Sequence, residues 1–247
     1  MSRKMRAFTI FTFLVLAVTA HAADTFDLKV ANIDVLQDKN VQTELGITPG
    51  QLKSMNVFAT QYSETNKTKI NEYQKAKKPV DQAFSDFYTK QRITLRTNVL
   101  KLLSPNQVKR LRELTLQAAG PRSLLDKAVA DKVGIPTTEY INFCTAIREG
   151  DQKIAKIKQE VSDKIKVKYK NQKPPTTKKE SDALRLKVNG DISAEMKKHE
   201  AEMKSVLSAS EAKTSKIITK KYLDALKVLM GKPFSPPKPA APKKLGK

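Results

Sequence analysis

The chain has 247 residues, enough for one large or two small domains, and carries 47 Lys and Arg against 25 Asp and Glu, a net +22. It has one cysteine, Cys144, and two histidines, so an intrachain disulfide, a His/Cys metal cluster and a Ser-His-Asp triad have too little to work with. Trp is absent and Gly is sparse, while Lys, Leu, Ala and Glu are common, a composition that points to helices.

Arg3, Lys4 and Arg6 precede an apolar run from Ala7 to Val18, and Ala20-His21-Ala22 offers small residues at both positions of an A-x-A cleavage site. Residues 1–22 read as a secretory signal peptide, with a retained membrane anchor as the alternative. The run is too short for a span of about 20 residues. No later segment approaches that length, so an integral membrane protein is not expected. Cleavage near Ala22 would leave a periplasmic or secreted chain of net +19.

Ala23 to Val35 reads as a short, loosely held connector. Leu36 to Ile47 then matches Leu124 to Ile135 at six of twelve positions, at a constant offset of 88. Leu, Asp, Lys, Val, Gly and Ile coincide, and each copy reads as a short helix closed by Gly. This internal duplication predicts two tandem units, residues 23–122 and 123–230. The fold expected is all-α, two helical hairpin repeats of long antiparallel helices.

Three stretches read as helix starts. In Ile47-Thr48-Pro49-Gly50-Gln51 and Leu103-Ser104-Pro105-Asn106-Gln107, a hydroxyl caps, Pro takes the first helical position, and Gln closes a capping box. Leu207-Ser208-Ala209-Ser210-Glu211 is a looser sibling, expected to start the last helix with Glu211 in the place of Gln. Pro79 ends or kinks the first long helix, and Gly120-Pro121 breaks the third. Ile135-Pro136-Thr137-Thr138 starts the second unit with degraded cap chemistry. Its stripe runs Tyr140, Phe143, Ile147, Ile154, Ile157, Val161 and Ile165. A turn at Lys173 to Lys179 leads to a return helix marked by Leu184, Val188, Ile192, Met196, His199 and Met203. His199 is expected as a packed histidine and Cys144 as a buried, inert thiol. Residues 231–247 are Pro-rich and cationic and are expected to be a disordered tail.

Ten Lys face four acids between Asp151 and Glu180. Lys153, Lys156, Lys158, Lys164, Lys166, Lys168 and Lys170 are the candidate contacts for an anionic partner. They are spread around the helix, which favours a diffuse electrostatic surface over one that reads bases. No phosphate-cradling loop or dinucleotide fingerprint is present. The expectation is no enzyme, no cofactor, no metal and no small-molecule substrate.

The leader, the L-T-x-x-Q-like starts at Ile47 and Leu103, the lack of a disulfide and the basic excess together resemble the Spy/CpxP group of periplasmic proteins. The resemblance implies an all-α cradle, usually a homodimer, acting as an ATP-independent chaperone or a modulator of envelope-stress signalling. A tandem copy would build within one chain what that family builds with two. Partners would then be unfolded or acidic client proteins. The competing expectation is a structural envelope protein whose lysines and tail bind anionic polymers.

Overall fold

The structure, a computed structural model, describes residues 23–235. The expected signal peptide and the tail beyond Ser235 lie outside the described residues. All regular structure among the described residues is helical, and none of these helices is long and apolar enough to cross a membrane. In chain order the helices are α1 (Thr25–Val30), α2 (Lys39–Glu44), α3 (Pro49–Lys75), α4 (Gln82–Lys101), α5 (Pro105–Ala119), α6 (Lys127–Val133), α7 (Thr137–Tyr169), α8 (Lys178–Lys198), α9 (Glu200–Ile217) and α10 (Lys220–Met230). Tight 3-10 turns at Ile33–Gln37 and Gly120–Leu125 precede α2 and α6.

The segment expected to be a loose connector is instead anchored. Asp24 caps α1, and Asp27 makes a buried ion pair with Arg112 of α5, Nε to Oδ1 2.8 Å. The carbonyls left over at the end of α1 are taken by Arg96 of α4, which donates to the oxygens of Leu28, Lys29 and Ala31. Two long-range cations thus order six residues that have little helical signal of their own.

The matched stretches behave alike down to single hydrogen bonds. Asp38 and Asp126 each cap with a side chain that accepts from the backbone two residues on. Each short helix closes with a left-handed Gly, Gly46 at φ +59° and Gly134 at φ +85°. The N–H of Ile47 donates to Gln42 and that of Ile135 to Ala130, both at 3.0 Å, the long bond of a Schellman close. The offset of 88 carries into the core: Leu36, Val41, Leu45 and Met55 lie in one apolar cluster, Leu124, Val129, Val133 and Phe143 in another. Helix α5 is the wall between them, giving Val108, Leu111 and Leu114 to the first and Leu116 to the second.

Pro79 marks an end rather than a kink, since α3 stops at Lys75 and α4 begins after the Asp81 cap. The expected helix start at Leu207, Ser208 and Glu211 is not one. Helix α9 runs through all three without a break, and they point to solvent. The neighbouring small residue has a packing role: a Cβ on Gly150 of α7 would lie 3.0 Å from Ser210, so α7 and α9 cross closely there. The chain breaks instead at the β-branched run Ile217-Ile218-Thr219, where Ile218 turns extended and is buried. Ile218 resembles Leu103 in being a buried residue just before a closing helix, and Leu226 resembles Leu111 in being fully buried within it. Both closing helices end at a glycine in the same unusual conformation, Gly120 at φ +56°, ψ −143° and Gly231 at φ +64°, ψ −151°.

The beginning of the tail is ordered. The Gln117 amide donates to the carbonyls of Met230 and Lys232 at 2.6 and 2.8 Å, and its oxygen accepts from the N–H of Phe234 at 2.8 Å. The Phe234 ring packs against the first cluster. Residues 231–235 are thus stitched across α5.

Candidate functional site

The starts of α3 and α5 form one joint. Thr48 and Ser104 each accept from the N–H three residues on, Gln51 and Gln107 each accept from the cap N–H, and Pro49 and Pro105 hold the first helical position. Both glutamines have donors left over. Gln51 Nε2 donates to the Leu102 carbonyl at 2.8 Å, and Gln107 Nε2 to the Leu45 carbonyl at 3.0 Å. Each amide therefore caps its own helix and catches the segment that leads into the other. Ile47 and Leu103 pack beneath the joint in the first cluster. These residues build a fixed corner and are fully engaged with one another.

The starts of α7 and α10 have different chemistry. Pro136 caps α7 without a side-chain bond, and Thr219 caps α10 likewise. The residue 88 after Gln51 is Glu139, and the third residue of α10 is Tyr222. The Glu139 carboxylate, followed by burial, raises the ionisation of the Tyr222 phenol above the ordinary tyrosine value. An acid–phenol pair thus replaces the amide pair, a swap invisible to a search for Gln.

Beyond these joints the chain extends two arms. Helices α3 and α4 form the first, and α7 with α8 and α9 the second. At 33 residues, α7 is about 50 Å long at 1.5 Å per residue. Its arm carries an open groove of about 610 Å³. The floor is apolar, with Val161 and Ile165 of α7 facing Val188, Ile192 and Met196 of α8. Lys158 and Lys166 stand at its edge, and Tyr169 closes one end.

All seven candidate lysines, six on α7 and Lys170 just past its end, are exposed, but they do not act as one set. Lys164 bonds Glu195 at 2.9 Å and Lys168 bonds Asp191 at 2.6 Å, tying α7 to α8. Lys166 pairs with Asp163 of its own helix. Lys153, Lys156, Lys158 and Lys170 make no ion pair among the described residues. Glu195 also accepts from Lys198, and the two lysine bonds hold its carboxyl down to about 2. Tyr169 donates to Asp191 at 2.6 Å, and that bond, with burial, pushes the phenol up to about 12. These clasps were missed in the sequence because their partners lie 22 to 31 residues apart on different helices.

His199 sits at the junction of α8 and α9, with Nδ1 3.1 Å from Glu202 Oε2. Cys144 is half-buried against the second cluster rather than sealed inside it. Among the described residues no three His, Cys, Asp or Glu side chains gather as a metal site. Comparison with family models, with curated proteins and with solved structures finds no match to this chain.

Proposed function

We propose that the chain is an exported, non-enzymatic binding protein built by tandem duplication of a helical hairpin unit, which holds unfolded or acidic client proteins without ATP in the manner of Spy. The observation that carries this reading is the α7/α8 groove, with its apolar floor and lysine edge. A client segment offers apolar side chains to such a floor, where burial is worth about 25 cal/mol per Å². Lysine stems extend the apolar surface while their ammonium groups stay wet. The surrounding positive field would speed capture of acidic clients and matter less to final retention.

The test is aggregation of an unfolding acidic client, followed across a salt series with the chain at equal molarity. Protection that persists at 1 M salt, where the Debye length is about 3 Å, supports an apolar hold. Absence of protection at every salt concentration overturns the reading. Lys153, Lys156 and Lys170, which make no ion pair among the described residues, favour the second reading, an envelope protein that binds an anionic polymer. That binding would weaken steeply as salt rises.

A further inference from the structure

We propose that the distal end of the second arm, around the α7–α8 connection, is a contact surface for an anionic lipid bilayer. The inference goes beyond client holding and rests on how charge and apolar surface are placed there. Residues 166–187 contain eight cations and two acids, a net of +6. Both acids are engaged within the arm. Glu180 accepts from the Thr176 N–H at 2.8 Å, the Thr176 hydroxyl at 2.9 Å and the Thr177 N–H at 3.2 Å, and Asp182 faces Arg185. Lys170, Lys173, Lys178, Lys179 and Lys187 are exposed and make no ion pair among the described residues.

Helix stability does not explain these positions. Lys178 and Lys179 are the first two residues of α8, at the positive end of the helix dipole, where cations are unfavourable. The Thr177–Glu180 capping box offsets a placement that the helix itself disfavours. Such a local conflict points to an external anionic partner.

Exposed aliphatics favour a bilayer over a soluble polymer. Val167 and Leu186 are 74% and 71% exposed, among the most exposed large apolar residues described, and they alternate with the lysines. No residue of α8 is buried. Aliphatic side chains gain little from a hydrated polyanion, whereas they lose water contact at the boundary of headgroups and acyl chains. Pro174 and Pro175 bring no N–H to be desolvated there. Each lysine near an anionic leaflet contributes roughly a fivefold gain in partitioning.

The experiment is co-flotation of the chain from Ala23 to Lys247 with phosphatidylcholine vesicles, with and without phosphatidylglycerol, beside binding to soluble polyphosphate. Binding is expected only with phosphatidylglycerol. The triple variant Lys173→Ala/Lys178→Ala/Lys179→Ala should bind about a hundredfold more weakly. Alanine in the first turn favours the helix, so the variant should keep its helical circular dichroism. Leu186→Gln, at unchanged charge, should weaken vesicle binding severalfold and leave polyphosphate binding alone. No flotation, or wild-type flotation of the triple variant, overturns the proposal. So does vesicle binding that is insensitive to Leu186→Gln and matched by polyphosphate, which would assign the surface to a polymer.

Discussion

Gln51 and Gln107 hold each other: Nε2 of Gln51 donates to Oε1 of Gln107 at 3.0 Å, while each side chain also closes its own capping box. The starts of two helices 56 residues apart are thereby fixed as one corner. Removing either amide leaves part of the same network unpaired, so the losses should overlap. Gln51→Ala and Gln107→Ala should each destabilise by about 1–2 kcal/mol, and the double variant should lose less than their sum by about 0.5–1 kcal/mol. Urea unfolding of the four proteins gives the cycle. Additive losses would show that the amides act separately.

Ser104 accepts from the Gln107 N–H at 3.3 Å as a plain cap. Ser104→Ala should cost about 1 kcal/mol and leave client protection unchanged. Loss of protection at unchanged melting temperature would give the corner a direct part in binding.

Two glycines should respond in opposite directions. Gly231 has φ +64°, and a Cβ there would lie within 2.8 Å of the Glu113 Oε1. Gly231→Ala should destabilise by about 1–3 kcal/mol. Gly190 lies inside α8 with no atom within 4 Å of a Cβ. Gly190→Ala should stabilise by about 0.5–1 kcal/mol. Thermal melts of the two variants, each against the parent, separate the effects.

The Asp27–Arg112 pair is buried on both sides. Truncating one partner strands the other charge, so Asp27→Ala should cost about 3–5 kcal/mol. Far-UV circular dichroism during urea unfolding would measure it. A loss below about 1 kcal/mol, the scale of an exposed pair, would contradict the burial.

The second arm should loosen at both ends of the pH scale. Glu195 has its carboxyl held down to about 2 by Lys198 and Lys164, so its contribution is complete above the ordinary glutamate value near 4.5. It is lost as pH falls from about 4.5 through 2. Tyr169 is pushed up to about 12 by Asp191, so its contribution is complete below 10 and is lost as pH rises through 12. Amide exchange or NMR titration of α8 should report both transitions. Tyr169→Phe should weaken the alkaline one and leave the acid one unchanged. The alkaline part that remains comes from Lys164, whose bond to Glu195 raises its ionisation above the ordinary lysine value.

Local chemistry was legible in the sequence, and long-range partnership was not. The caps at Thr48 and Ser104, the glycines at 46 and 134 and the stop at Gly120 follow from residue types at fixed spacing. The same logic failed at Ser208, because a Ser-x-x-Glu pattern without a helix breaker before it is equally at home inside a helix. Helix α1 was missed because Arg96 and Arg112, more than sixty residues away, supply what its six residues lack. The apolar stripes of α7 and α8 were visible, but a stripe does not say whether a third element covers it. The groove exists because Ile165, Val188, Ile192 and Met196 stay half-covered above a buried Val161.

Arg112 touches both extremities of the described chain. It pairs with Asp27 near the beginning and donates to the carbonyl of Leu229 near the end. Topologically the body is therefore a closed ring fastened at one guanidinium, from which the two arms are excursions. New ends opened at Pro174-Pro175 would interrupt only an excursion, with the old ends joined across Arg112. A circular permutant of that design should keep both apolar clusters, and a chain stopped before α10 should keep neither intact.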